Sequence, residues 1–282
     1  MQPQRSFKLS AAGVRALLLL PVILFLFVFL LIPFGIVLVN SLSSDGRPLT
    51  LANYIDIVAD EFYWDVMWRT LRISLFTTLA ALCLGYPAAL YLYFSQSRWR
   101  RVFLFVVISP LFISVIVRTY GWIMIFTPSG VLNALLPDGL SVRLLKTETA
   151  VVIGMMHIYL PFMVLSLNTT MSKIDKRLLA AASTLGASNA RLFRDILFPL
   201  SVPGIVAGCS IVFSISMTAF STPVLLGGTA NKTMPFIVYQ QNLVLFDSHT
   251  GGALAITLLA ASLLVLWGFK RLSRGATNRL GV

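Results

Sequence analysis

The chain has 282 residues, of which 57% are hydrophobic and only 11% are charged. Soluble domains carry about 25% charged residues, so this composition excludes an ordinary soluble enzyme and predicts an integral membrane protein. The net charge of +12 would also suit a nucleic-acid-binding protein, but the basic residues lie between apolar segments and not on one soluble domain. We therefore expect the chain to contact membrane lipid and no nucleic acid.

Six apolar segments are long enough to cross the hydrocarbon core of a bilayer, which takes roughly 20 helical residues. In chain order they are residues 17–39, 71–94, 102–126, 149–168, 202–225 and 251–269. The first is longer than the apolar part of a signal peptide and no small-residue cleavage site follows it, so we expect it to remain as a helix. The sequence thus predicts an all-α, polytopic membrane protein whose single transmembrane domain covers residues 1–282.

The basic residues are divided unequally between the two sides that six spans create. Fifteen lie on the side of the termini: Arg5, Lys8, Arg15, Arg98, Arg100, Arg101, Lys173, Lys176, Arg177, Arg191, Arg194, Lys270, Arg271, Arg274 and Arg279. Five basic residues lie on the other side: Arg47, Arg69, Arg143, Lys146 and Lys232. Eight of the ten acidic residues lie on that side as well. Because basic loops stay in the cytoplasm, both termini are predicted to be cytoplasmic.

The outer segment between the first two spans begins with the turn residues Asp45, Gly46 and Pro48. An amphipathic helix at the membrane interface is predicted to follow, because aromatic side chains suit the headgroup level. Its aromatic residues are Tyr54, Phe62, Trp64 and Trp68.

Proline recurs within the predicted spans, at Pro87, Pro110, Pro161, Pro203 and Pro223. A membrane helix tolerates proline where neighbouring helices or a water-filled path satisfy the freed carbonyl. These prolines are either irregularities of packing or bends that line a path, and the sequence alone leaves both interpretations open.

The segment 170–200 is too polar to span a membrane and too regularly patterned to be disordered. Ser172 followed by Asp175 has the spacing of a helix start, and Gly186 is placed to end that helix in the left-handed conformation. The apolar residues Leu178, Leu179, Ala182 and Leu185 recur on one face. A short helix, closed by a glycine, is therefore predicted on the cytoplasmic side.

A second helix is predicted directly after this glycine. Ser188 is suited to cap its first turn, and Pro199 is predicted to end it. Its apolar face consists of Leu192, Phe193, Ile196 and Leu197, whereas Arg191 and Arg194 lie on other faces. The segment is thus expected to form a helix, a turn and a helix, and the alanines Ala180 to Ala182 are small enough for another surface to approach the backbone.

This loop resembles the signature of the integral membrane permeases of ABC importers, which reads E-A-A, three residues, G, nine residues, then I-x-L-P. The matching residues are Ala181, Ala182, Gly186, Ile196 and Pro199. Two positions differ from the signature: Ala180 replaces the glutamate and Phe198 replaces the leucine. The resemblance extends over nearly the whole chain to the spermidine/putrescine-type branch, through LANY at 51–54, LGYPAALYL at 84–92, VIVRTYGW at 115–122, IYLPFMVLSL at 158–167 and PVLLGG at 223–228.

The resemblance implies the fold of a type I ABC importer permease, a bacterial inner-membrane protein with a coupling loop at 170–200. Such a permease forms half of a translocation pathway with a second, related permease subunit, two ATPase subunits and an external solute-binding protein. By this resemblance Ala180 to Gly186 would occupy a groove of the ATPase, with Arg191, Ile196 and Pro199 in the same coupling element. The implied substrate is a small polar solute of the polyamine class.

The energy source is expected to lie in another subunit. No Gly-Lys dipeptide occurs in the sequence, so the GxxxxGK[ST] loop that binds nucleotide phosphates is absent. ATP and magnesium are therefore expected on a separate ATPase partner, and the chain itself is predicted to be a transport subunit without a cofactor, a metal site or catalytic residues.

A secondary transporter and a membrane enzyme are the alternatives. A secondary transporter usually places Asp, Glu or His at membrane depth, but the predicted spans contain no acid, and we interpret His157 as a packed or hydrogen-bonded side chain. An enzyme needs a nucleophile with a base, paired carboxylates or metal ligands. Neither His157 nor His249 lies in an HExxH pattern or beside clustered acids.

Two groups of residues are candidates for the translocation path. They are Arg118, Tyr120 and Trp122, and Ser221, Thr222 and Pro223. By the resemblance the first group, with Thr119, would line an outer gate, although snorkelling at the outer end of span three explains Arg118 equally well. Proline beside two hydroxyls suits a pore lining and also a simple helix end, so both alternatives stay open.

The nature of the substrate is the least determined point. A site for a polycation normally offers carboxylates and aromatic faces, and the predicted spans provide aromatic residues alone. Selection by the external binding protein or by the partner permease is therefore expected, and another small amine or an amino acid stays possible as substrate.

Overall fold

The computed structural model describes residues 11–44, 49–137 and 141–278, with side chains from residue 18 to residue 271 inside those ranges. The predicted turn at Asp45, Gly46 and Pro48 lies outside the described residues. The same holds for the basic residues Arg5, Lys8, Arg47 and Arg279, and for the side chains of Arg15 and Arg274.

Within these ranges the chain forms α-helices joined by short segments. In chain order the helices are α1 (Ala11–Leu26), α2 (Ile32–Ser41), α3 (Ala52–Ala59), α4 (Glu61–Phe94), α5 (Trp99–Ile108), α6 (Val115–Phe126), α7 (Val131–Ala134), α8 (Glu148–Met171), α9 (Lys176–Thr184), α10 (Asn189–Leu192), α11 (Phe198–Met217), α12 (Ser221–Gly227), α13 (Met234–Tyr239) and α14 (Ser248–Asn278). Turns of π-helix join some of them, at Phe27–Leu31, Phe193–Leu197 and Gln240–Val244.

The predicted all-α architecture with six spans is confirmed. In the described part of the chain, the segments long and apolar enough to cross a membrane are Leu18–Ser41, Glu61–Phe94, Val115–Ala134, Glu148–Met171, Asn189–Met217 and Ser248–Arg271. The first is exposed along its whole apolar stretch, and it meets the rest of the chain mainly where α2 packs on α14. That contact is close, because a Cβ on Gly252 would lie 3.1 Å from the carbonyl oxygen of Val37.

Two clusters of buried apolar side chains hold the helices together. The larger cluster lies among α4, α8 and α11, with Met163 of α8 fully buried at its centre. Gly85 of α4 and Gly208 of α11 both face Met163. A Cβ atom on Gly85 would lie 2.8 Å from Cγ of Met163, and one on Gly208 would lie 2.6 Å from its Sδ. The smaller cluster joins the N-terminal end of α4 to α11, α13 and α14 through residues such as Phe213 and Leu254.

The predicted interfacial helix is divided between two elements. α3 is short, and α4 begins at Glu61, ten residues before the predicted start of span two at residue 71. Asp60 caps this helix by accepting the N–H of Phe62 at 2.9 Å. Trp64 and Trp68 are therefore exposed on the first turns of α4, and not on a separate interfacial helix.

The third predicted span, residues 102–126, is wrong as a single helix. It consists of α5, a tight 3-10 turn at Ser109–Phe112, an extended residue Ile113, and α6. Pro110 lies in the 3-10 turn and has no N–H to continue the α-helical ladder. The two halves are consequently separate helices.

The fifth predicted span, residues 202–225, has the wrong bounds at both ends. α11 begins at Phe198 and ends at Met217, and α12 follows as a separate helix that contains Pro223. Proline is tolerated in the first turn of a helix because the N–H groups there have no intrahelical partner. Gly228, with φ of 64°, then turns the chain back.

Candidate functional site

The first helix of the loop 170–200 is α9, and Asp175 caps it. The Oδ1 atom of Asp175 accepts the N–H of Arg177 at 2.9 Å. The prediction that Ser172 starts this helix is wrong, because Ser172 ends α8, where its N–H donates to the carbonyl of Asn168. An acidic side chain was the better cap here, since it also interacts favourably with the positive end of the helix dipole.

Gly186 ends α9 as predicted. Its φ is 84°, and its N–H donates to the carbonyl of Ser183 at 3.0 Å. The N–H of Ala187 reaches back to Ala182 at 3.1 Å. This pair of bonds is the Schellman motif, in which a left-handed residue satisfies the last carbonyls of a helix.

The second helix of the loop starts as predicted but does not end at Pro199. Ser188 accepts the N–H of the exposed Arg191, and α10, the π turn Phe193–Leu197 and α11 then follow without a break. Pro199 lies in the first turn of α11, directly after the π turn, so its missing N–H is accommodated. The loop therefore leads into the fifth span through a continuous helix, with Ile196 half-buried in it.

The α9 helix presents an exposed, partly apolar surface. Leu185 at its end is 88% exposed, and Leu178 is also exposed. Ala180 and Ala181 are exposed beside them, whereas Ala182 is half-buried, and Leu179 packs against the larger core cluster. The predicted apolar face is thus divided: one side holds α9 on the chain, and the other has no cover within the described residues.

A pair of buried hydroxyls joins α6 to α12. The side-chain oxygens of Thr119 and Thr222 lie 3.1 Å apart, and both residues are almost completely buried. Ser221 is half-buried and Pro223 is buried on the same short helix. The candidates from the two sequence groups therefore meet, but through Thr119 and Thr222.

Arg118 lies in the first turn of α6, and the helix continues for roughly two further turns. This position differs from the outer end of span three, where the snorkelling interpretation put it. Its Nε and Nη1 atoms are buried and have no hydrogen-bond partner among the described residues. One turn further along, Trp122 donates its indole N–H to Nδ1 of His157 at 3.3 Å. His157 is thus a hydrogen-bonded side chain, as interpreted from the sequence.

Tyr120 is separated from the other path candidates. Its side chain is 55% exposed and lies on the outer face of α6, whereas Thr119 and Trp122 face the packed side. Sequence spacing grouped these residues because they are close in the chain, but successive residues of a helix point about 100° apart.

An ion-pair cluster between α4 and α8 was not predicted. Glu148, the first residue of α8, accepts a hydrogen bond from Nη2 of Arg72 and lies 3.5 Å from Nε of Arg69. Arg69 also donates to the carbonyl of Lys232 at 3.4 Å. The available signal was two arginines one turn apart near the start of span two and an acid at the start of span four.

Comparison with known proteins identifies the family. Residues 81–277 match the family model described as "Binding-protein-dependent transport system inner membrane component". The chain belongs to this family. It is a multi-pass protein of the inner membrane and a transport component, not an enzyme.

Two curated relatives carry the description "Spermidine/putrescine transport system permease protein PotB". The one from Haemophilus influenzae is 33% identical over 87% of this chain and 89% of its own length. The one from Escherichia coli is 37% identical over 79% of this chain and 83% of its own length. A solved bacterial alginate ABC transporter, in complex with a periplasmic protein, contains a chain that superposes with a TM-score of 0.81 at 19% identity, over 94% of this chain and 95% of that one. The structural match supports the fold alone.

Proposed function

We propose that the chain is the permease subunit of an ATP-driven polyamine importer and that both of its termini are cytoplasmic. It would pair with a second permease subunit, bind two ATPase subunits through the loop 170–200, and receive solute from an external binding protein. ATP and magnesium belong to the ATPase in this proposal, and no cofactor to this chain. The similarity to two spermidine/putrescine permeases supports the substrate class.

The observation that carries the coupling role is the uncovered surface of α9. Leu185 and the alanines Ala180 and Ala181 are exposed on a helix fixed at both ends, by Asp175 and by the left-handed Gly186. A rigid helix with a small apolar surface suits a groove in a partner protein, because such helices bury their apolar face on docking. The continuous helix from Ser188 into α11 connects α9 to the fifth span, so a displacement of the docked α9 would be transmitted to that span.

The coupling role is tested by pull-down of the ATPase encoded with this chain. Ala182→Glu introduces a charge into the half-buried side of α9, and Gly186→Val forces a branched residue into a left-handed conformation. Both variants are expected to lose the ATPase or ATP-driven uptake. Normal ATPase yield together with normal uptake in both variants would contradict the proposal.

The charges of the spans favour selection outside this subunit. Glu148 is already paired with Arg69 and Arg72. The buried Nε and Nη1 atoms of Arg118 have no partner among the described residues, so they add positive charge that repels a polycation. We therefore propose that the binding protein selects the polyamine and that the path through Arg118, Trp122, Ser221, Thr222 and Pro223 only conducts it. Calorimetry of the binding protein with spermidine, putrescine and amino acids tests the substrate class.

Uptake distinguishes the alternatives. Another small amine or an amino acid as the ligand of the binding protein would remove the polyamine assignment and leave the importer assignment in place. Uptake by the purified chain alone, driven by a proton or sodium gradient, would favour a secondary transporter. We expect neither result, because the phosphate loop is absent from the sequence and the importer family relies on a partner ATPase.

A further inference from the structure

A polar cavity of about 480 Å³ opens where α4, α5, α8 and α9 come together on the basic side of the chain. Three cationic side chains line it: Arg100 from α5, Lys173 after α8, and Lys176 at the start of α9. Asn168 and Ser172 add an amide and a hydroxyl. The wall therefore offers donors from separate elements that converge on one space.

The positive charge in this cavity is only partly neutralised within the described part of the chain. Neither Arg100, Lys173 nor Lys176 forms an ion pair there, since the pairs found join Glu148 to Arg69 and Arg72. The one acid in the wall, Asp175, accepts the N–H of Arg177 and keeps its negative charge, so the wall carries three cations against one carboxylate. Three cations around one space repel one another, so an anion in that space lowers their electrostatic energy.

Lys176 is held at the wall by an aromatic ring. Its Nζ atom lies 5.3 Å from the centroid of the Tyr93 ring, at a distance where cation–π attraction operates. Tyr93 is buried, and its hydroxyl donates to the carbonyl of Ile174 at 3.4 Å. The contact with Tyr93 therefore favours a position of this exposed cation at the cavity wall.

An apolar cavity of about 360 Å³ shares two of the same helices. Phe94, the neighbour of Tyr93 on α4, and Leu179, one turn after Lys176 on α9, line it with Leu90, Leu192 and Phe193. A free phosphate ion would not occupy this second, apolar cavity. A phospholipid has both a phosphate and an acyl chain, so the pair of cavities matches a lipid better than a small anion.

We propose that the basic cavity binds the phosphate of an anionic phospholipid, such as phosphatidylglycerol, from the leaflet on the side of Arg98 to Arg101. Basic pockets between helices on the cytoplasmic side suit such headgroups. The inference rests on the proposed orientation of the chain but not on its substrate. Because Lys173 and Lys176 flank the link between α8 and α9, a bound lipid would hold this link, and with it the start of α9, in place.

Native mass spectrometry of the assembled transporter, titrated with phosphatidylglycerol or with zwitterionic phosphatidylethanolamine, measures the binding. The double variant Arg100→Gln/Lys173→Gln is compared with Arg98→Gln/Arg101→Gln, which removes the same charge from exposed neighbours outside this cavity. We expect phosphatidylglycerol affinity to fall roughly 30-fold in the first variant, since each charge contributes about fivefold, and much less in the control.

Three results would overturn the inference: equal loss in the two double variants, no preference for phosphatidylglycerol in the unaltered protein, or displacement of the lipid by inorganic phosphate. The last result would assign the cavity to a free anion. Labelling of Ser97→Cys by an impermeant reagent from outside intact cells would contradict the orientation on which the inference rests. ATP-driven polyamine uptake, measured on the same preparations, reports separately on the proposed function.

Discussion

At the scale of single residues, buried hydroxyls are among the polar contacts that join one span to another. Thr119 bonds both the carbonyl of Val115 in its own helix and the hydroxyl of Thr222 in α12. Tyr86 and Ser201 make a similar contact at 3.0 Å between α4 and α11. Side-chain hydrogen bonds of this kind between membrane helices are worth about 0.6 kcal/mol on average, so each one adjusts the position of a helix more than it stabilises the whole fold.

Replacement of Thr222 by Val is expected to lower thermal stability by about 1 kcal/mol, because the shape is kept and a buried hydroxyl partner is lost. Thermal unfolding of the detergent-solubilised protein measures the change. In a double-mutant cycle with Thr119→Val, the two effects should be less than additive. Thr78→Val is the matched control, because the Thr78 hydroxyl bonds only the carbonyl of Ser74 in its own helix. Full additivity would show that the two threonines do not interact.

Asp247 predicts a pH dependence at the N-terminal end of α14. Burial raises the pKa of its carboxyl, but hydrogen bonds from Thr250 and from the N–H of His249 outweigh burial, and the net effect lowers the pKa. A lowered pKa in the folded state stabilises the fold above the unfolded value, near 4, and that contribution is lost as pH falls through the folded pKa.

The unfolding temperature of the unaltered protein should therefore decrease more steeply below about pH 4 than that of Asp247→Asn, because Asn keeps a capping oxygen without the charge. At neutral pH the variant should be the less stable of the two. If the unfolding temperatures of the two proteins change by the same amount with pH, the assigned role of Asp247 is refuted.

At the scale of helices, the exposed end of α9 makes a prediction about docking. Leu185→Ser removes an apolar side chain that is 88% exposed, so it should leave the stability of the chain unchanged. If the side chain is buried in the ATPase, affinity should fall by about 2 kcal/mol, roughly 30-fold. Binding of the detergent-solubilised permease to immobilised ATPase measures the effect.

Leu135→Ser is the control for this experiment, because Leu135 is 79% exposed on the opposite side of the chain. Its replacement should leave ATPase binding unchanged. An equal loss for both serine variants would mean that general surface polarity, and not docking of α9, controls the assembly.

Much of the helix arrangement follows from the sequence, and the wrong bounds of spans three and five occur at prolines. Hydrophobic length was enough to predict six spans, and glycine at position 186 was enough to predict a left-handed end of α9. Pro110 interrupts span three. Pro199 lies within a continuous helix, because the π turn before it accommodates its missing N–H. The difference depends on local hydrogen-bond geometry that no composition rule contains.

The candidate site was predictable only where its residues are close in the chain. The residues of the loop 170–200 were grouped through their resemblance to one family motif, whose members are close in the chain. The contact of Thr119 with Thr222 joins residues about a hundred positions apart, and the pairing of Glu148 with Arg72 depends on how α4 packs on α8. Such contacts follow from the tertiary packing of helices, which one sequence does not specify by pattern.

At the scale of the whole molecule, the orientation of the spans makes a direct prediction. Ser183 lies in α9 and Ser248 begins α14, and both are exposed. In a background in which Cys83 and Cys209 are replaced by Ser, Ser183→Cys should resist an impermeant thiol reagent added outside intact cells, and Ser248→Cys should react. Permeabilised cells provide the control, in which both should react. The reverse pattern in intact cells would invert the orientation.

The π turn at Phe193–Leu197 has a consequence for insertions and deletions in this chain. Such a turn accommodates one residue more than an α-helix would place there. Deletion of a single residue within it would restore a regular helix and leave the direction of everything before it nearly unchanged, whereas the same deletion in a regular part of α11 would rotate the preceding segment by about 100° around the helix axis. A frame-preserving deletion of three nucleotides at the π turn would thus preserve both the topology and the direction of α9, whereas one within α11 would turn α9 away from its present direction.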